Sequence, residues 1–104
     1  MTTLELGGNI VLTGFSDRDF TELIVVKKIV GQYARKFSDH TEQFQRLNVI
    51  FKEVHGSKAE IISKAEVEGK EYAAEVTDHN LFIALDASLK HVLQQIQKAH
   101  EKRS

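Results

Sequence analysis

The chain has 104 residues, with 14 Lys or Arg, 15 Asp or Glu, and no Cys, Pro or Trp. This length predicts one domain spanning residues 1–104. The lack of Cys excludes a disulfide framework, thiolate catalysis and thiolate metal sites. The 41% hydrophobic fraction argues against disorder, and the formal net charge of −1, taken as a total, argues against a nucleic-acid partner.

No apolar run approaches the ~20 residues needed to span a bilayer. The longest, Leu23 to Val26, is followed at once by Lys27 and Lys28. The start, Met1-Thr2-Thr3-Leu4-Glu5, lacks the basic and apolar stretches of a signal peptide. The expectation is a soluble, cytoplasmic protein with no membrane partner.

In chain order, Leu4–Val11 reads as a first strand closed by Leu12-Thr13-Gly14, with Gly7-Gly8 as a bulge or bend. The first helix is predicted from about Arg18 to Phe37, with Ser16 as N-cap and Asp19 completing a capping box. Phe20, Leu23, Ile24, Ile29, Val30, Tyr33 and Phe37 recur at three- and four-residue steps and predict a core stripe. Lys27, Lys28, Arg35 and Lys36 fall largely off it.

Gln45–Val54 predicts a second strand, with Leu47, Val49 and Phe51 on one side. Lys58–Glu68 is the third, where Ala59, Ile61, Ser63, Ala65 and Val67 face a core and the charged alternates face water. Glu71–Val76 is the fourth, with Tyr72, Ala74 and Val76 inward. His55-Gly56-Ser57 and the two-residue turn Gly69-Lys70 connect them as hairpins. A second helix is predicted from about Leu81 to Lys102, capped by Asp78 or Asn80, with Leu81, Leu85, Leu89, Val92, Ile96 and Ala99 inward. The result is an α+β fold of order β-α-β-β-β-α, a four-stranded sheet with two helices packed on one face, in the manner of double-stranded-RNA-binding domains.

Catalytic patterns are missing. The five His form no i, i+4 pair beside a Glu, and the Gly residues form no phosphate loop or nucleophile elbow. Glu66 and Glu68 fall on the solvated side of a strand, which leaves no reason for their pKa values to split. The expectation is a protein that is not an enzyme, with no cofactor, metal or small-molecule substrate.

Charge is distributed unevenly. Residues 18–37 hold five basic and two acidic side chains, residues 86–104 four and two, and residues 41–79 five and eight. Phosphate binding depends on local potential rather than the total. Packed side by side, the helices would merge Lys27, Lys28, Arg35, Lys36, Lys90, Lys98, Lys102 and Arg103 into one basic surface. The competing reading is ordinary solubilising charge on two amphipathic helices.

The segment Asp78-His79-Asn80-Leu81-Phe82-Ile83-Ala84-Leu85-Asp86, continuing to Gln95-Ile96-Gln97-Lys98, resembles the C-terminal signature of the ribosome hibernation promoting factors, or ribosome-associated translation inhibitors. Gly8 to Thr13 is similar to the pattern before that family's first helix, and Ala65 to Ala74 to its third and fourth strands. The resemblance runs from about Leu4 to Lys98. It implies a non-enzymatic partner of the small ribosomal subunit that contacts 16S rRNA through basic side chains of both helices. Such a protein blocks translation or helps ribosomes idle under stress. The implied contacts are Lys27, Lys28, Arg35 and Lys36, with Lys90, His91, Lys98, Lys102 and Arg103. The family usually places Lys where this chain has His91, and often Arg where it has Gln94, so the second helix is a weaker phosphate surface. The chain ends soon after the motif, and the expectation is a short form without the dimerisation domain of longer members. Self-association is left open. The alternative is a protein–protein module using the acid-rich sheet face or an edge strand.

Overall fold

The computed structural model describes residues 3–6, 9–54 and 56–101, with side chains over 9–54 and 56–99. The elements are β1 (Thr3–Leu6), β2 (Ile10–Thr13), α1 (Phe20–His40), β3 (Phe44–Val54), β4 (Lys58–Val67), β5 (Lys70–Asp78) and α2 (Leu81–Glu101). The strands form one sheet in the order β1-β2-β3-β4-β5. β2 to β5 with the two helices make the expected β-α-β-β-β-α order, and the fold is α+β.

The first strand departs from expectation. In place of a continuous Leu4–Val11, β1 and β2 pair antiparallel, Leu6 opposite Ile10, so β1 is added outside the other four. Gly7 and Gly8, expected as a bulge, lie outside the described residues. β2 then pairs parallel with β3, Leu12 opposite Val49, and α1 forms the crossover that parallel neighbours require.

Between β2 and α1 the chain must bury Phe15, which is fully enclosed with its ring 5.4 Å from that of Phe51. This delays the helix. Ser16, expected as N-cap, sits in a turn closed by Arg18 N–H donating to the Phe15 carbonyl at 3.0 Å. The cap position belongs to Asp19, whose side chain makes no capping hydrogen bond. The first turn is braced by Arg18, which donates twice to Glu22 Oε2 at 3.0 and 2.7 Å and lies over the Phe51 ring. Gly14 shapes the same corner: its φ is +87°, and a Cβ there would run into the Phe51 carbonyl oxygen.

The core stripe of α1 is Val26, Val30, Tyr33, Ala34 and Phe37. Phe20 and Ile24, expected in it, are 74% and 52% exposed. Four residues advance a helix by more than one turn, so the Phe20–Ile24 row drifts around the cylinder and leaves the sheet side. α2 begins as expected. Asn80 Oδ1 accepts from the Phe82 and Ile83 amides at 2.9 and 3.2 Å, and Asp78 Oδ1 accepts from the Asn80 amide at 2.9 Å.

β3, β4 and β5 form the expected meander, and Ala59, Ile61, Ser63, Ala65 and Val67 are all buried. The β4–β5 turn is one residue earlier than predicted. It is Glu68-Gly69, with φ of 53° and 78°, and Val67 stands opposite Lys70. Two successive positive φ values match the twist of a hairpin, and Gly takes the second without strain. On the open face of the sheet Arg46 stands opposite Glu66 and Lys52 opposite Glu60. The face expected to be acid-rich therefore interleaves both signs.

α2 packs on β4 and β5, with α1 beside it. The contact between α2 and β4 contains a buried polar pair, Ser63 Oγ and Ser88 Oγ at 2.8 Å. Ser88 donates its one hydroxyl proton to the Leu85 carbonyl at 2.9 Å, so Ser63 is the donor in the pair. The two serines are therefore unequal. Ser63→Ala removes a donor and leaves Ser88 its own bond, whereas Ser88→Ala strands the buried Ser63 hydroxyl. Urea unfolding should show Ser88→Ala costing about 1–3 kcal/mol and Ser63→Ala distinctly less. Equal losses would reject the donor assignment.

Candidate nucleic-acid interface

The predicted cations with described side chains, Lys27, Lys28, Arg35, Lys36, Lys90 and Lys98, are all exposed, as is His91. Lys102 and Arg103 lie outside the described residues. The structure does not gather the seven into one cluster. On α1, Lys28 and Arg35 are seven residues apart and point opposite the buried stripe, by the 3.6-residue turn. Lys27 lies on the flank shared with Phe20. Lys36 lies on the other flank, its Nζ 4.8 Å from the centre of the Tyr33 ring.

That second flank faces α2. Tyr33 donates its hydroxyl to Asp86 Oδ1 at 2.9 Å, and His40 Nε2 meets Gln97 Nε2 at 3.1 Å further along the same seam. Asp86 is thus an inter-helix partner. Lys90, four residues after Asp86, leans to the α1 side of α2. His91 and Lys98 share the opposite flank with Gln95, which donates to the Ala73 carbonyl of β5 at 2.8 Å. They belong to the β5 side of the molecule. Two shallow hollows along the outer face of α2 meet at His91 and Gln94.

Charge follows the helix bounds. α1 carries Lys27, Lys28, Arg35 and Lys36 against Glu22 and Asp39, a formal +2. α2 carries Lys90 and Lys98 against Asp86 and Glu101, which cancel. The sequence windows assigned more to the helices because the first stopped short of Asp39, its Arg18 and Asp19 cancelling, and the second ran on through Lys102 and Arg103. Arg18 precedes α1 and is paired with Glu22 at 2.7 Å. By contrast Lys27, Lys28 and Arg35 have no carboxylate partner among the described residues. The basic surface is therefore mainly that of α1. The sequence reading also missed that Phe20 and Ile24, which it placed in the core stripe, stand out in solvent on the flank of α1. Only the helical phase, measured from Val26 and Val30, could have revealed it. Among the described residues no three His, Asp or Glu side chains are grouped to hold a metal ion, and no helix is long and apolar enough to cross a membrane.

No family model and no curated protein sequence matches this chain. Solved structures do. The chain is similar to the Thermus thermophilus Protein Y N-terminal domain, with a TM-score of 0.66 and 14% identity over 86% of this chain and 93% of that one. It is also similar to a ribosomal subunit interface protein from Coxiella burnetii, with a TM-score of 0.58 and 10% identity over 88% and 93%. The likeness is one of fold. Both neighbours are of the hibernation-promoting-factor type, so the resemblance read from the sequence is met by the architecture.

The Tyr33–Asp86 bond ties the two helices together and has a titration signature. Burial, then the hydrogen bond to Asp86 and its charge, push the Tyr33 hydroxyl from 10.0 up to about 12. Because the folded value is the higher, this contact contributes its full stability below about pH 10 and loses it as pH rises through about 12. Ultraviolet titration should show one tyrosine ionising near pH 12. Asp86→Asn should lower that midpoint without restoring 10.0, since burial remains the larger cause. An unchanged midpoint in Asp86→Asn would refute the coupling.

Proposed function

We propose that this protein binds the small ribosomal subunit by laying the outward side of α1 on 16S rRNA, and so inhibits translation or stabilises idle ribosomes under stress. The observation that carries the reading is the trio Lys27, Lys28 and Arg35, exposed on one helix and unpaired with any carboxylate among the described residues. Cations held free of internal partners keep their full attraction for phosphate, and each contact releases counterions from the nucleic acid. The fold likeness to a ribosomal subunit interface protein supports the choice of partner.

Lys36, at the helix seam, and Lys90, across from it, extend the contact. His91 and Lys98, on the β5 flank, provide a second line along α2, and Lys102 and Arg103, which lie outside the described residues, complete the proposed set of contacts. Contacts of this kind fix position and orientation without reading base sequence. The mechanism is steric: a folded body occupies rRNA that a translating ribosome must leave clear. No bond is made or broken, so no catalytic residue is assigned. The site of action is the cytoplasm.

Sedimentation with isolated small subunits tests this. The protein should travel with the subunit at about 50 mM salt and be released at severalfold higher salt. Exchange of Lys27, Lys28, Arg35 and Lys36 for Glu should abolish co-sedimentation while the circular dichroism spectrum stays unchanged. A protein that remains at the top of the gradient at low salt overturns the proposal. Binding that survives the charge reversal places the contact on another surface.

A further inference from the structure

Gly31 lies near the middle of α1, exposed to solvent, and a Cβ added to it would meet nothing within 4 Å among the described residues. A glycine inside an exposed helix is a standing loss of stability relative to alanine. The other described glycines meet visible needs: Gly14, Gly56 and Gly69 all have positive φ, and Gly14 also has the Phe51 carbonyl against it. Gly31 has neither a left-handed backbone nor a close neighbour. Nothing among the described residues calls for it, which directs attention to what approaches from outside.

Its surroundings on the helix surface are specific. Residues three and four apart are neighbours there, with Cβ atoms roughly 5–6 Å apart. Gly31 is four residues from Lys27, three from Lys28 and four from Arg35. A bare patch of helix backbone is thus ringed by three exposed cations without carboxylate partners among the described residues. The row continues toward the start of α1 through Ile24 to Phe20, 52% and 74% exposed.

We propose that Gly31 is a saddle over which a ribose–phosphate strand crosses α1 in van der Waals contact with the helix backbone. Lys27 and Lys28 hold phosphates on one side of the crossing and Arg35 on the other. Phe20 and Ile24 offer the strand an apolar platform for a ribose or an unstacked base. A partner helix seated at a glycine would want apolar flanks, whereas three cations select a polyanion. The inference rests on the ribosome-binding reading and adds to it the point of closest approach.

The saddle makes stability and binding move in opposite directions. Gly31→Ala should raise the melting temperature by roughly 2–8 °C. It should also weaken binding to isolated small subunits about five- to eightfold at ~0.1 M salt, the worth of one phosphate contact. Gly31→Gln, longer and uncharged, should weaken it further while the protein stays folded by circular dichroism. A more stable Gly31→Ala protein that binds as tightly as the parent overturns the saddle and leaves the ribosome reading standing. If the parent itself fails to bind subunits at low salt, the ribosome reading falls and the saddle with it. If both variants bind more weakly but the loss does not shrink as salt is raised, the contact is not with phosphate and the proposal is overturned.

Discussion

One face of the sheet has to be covered, and among the described residues two helices do the covering. The strip that receives them is β4, whose inward row of Ala59, Ile61, Ser63, Ala65 and Val67 is buried along its whole length. Three of those five side chains are small, which lets α2 come close enough for Ser88 to reach Ser63. Once α2 is seated there, α1 takes the remaining width of the sheet. Tyr33 and Asp86 then meet across the seam at 2.9 Å. The packing consumes the inner stripe of each helix and leaves the outer stripe to solvent.

What the outer stripes carry decides what the molecule can bind. By sequence α2 has a balanced formal charge and α1 a positive one, and the open face of the sheet mixes opposite charges across β3 and β4. A net charge of −1 is therefore no guide to the field near α1. Within α1 the division is finer still. Arg18, just before the helix, is spent on Glu22 and the Phe51 ring, and Lys36 on the Tyr33 ring, whereas Lys27, Lys28 and Arg35 are left free of carboxylates among the described residues.

Much of the fold was legible because strong local rules agree with the tertiary structure. The two-residue alternation of β4 and the Asp78–Asn80 cap of α2 needed no knowledge of the rest of the chain. The misplacements share a cause, which is competition from long-range contacts. Burial of Phe15 against Phe51 moved the start of α1 past Ser16. Pairing of Val67 with Lys70 drew the turn back to Glu68, a residue with no intrinsic liking for positive φ. Phe20 and Ile24 are as apolar as any core residue, and only their phase against Val26 and Val30 sets them outside. The exposed cations were readable as residues off a stripe. Their separation into an α1 group and a β5-side pair was not, because it depends on how the helices are rotated over the sheet.

The central claim is that the free cations of α1 meet phosphate. It is tested most directly by the salt slope of binding to isolated small subunits, compared between the parent and a protein with Lys27, Lys28 and Arg35 replaced by Gln. Each phosphate contact contributes about 0.7–0.9 to the slope of log K against log salt. The account predicts a slope shallower by roughly 2–3 in the substituted protein. A substituted protein whose slope matches the parent's would contradict it.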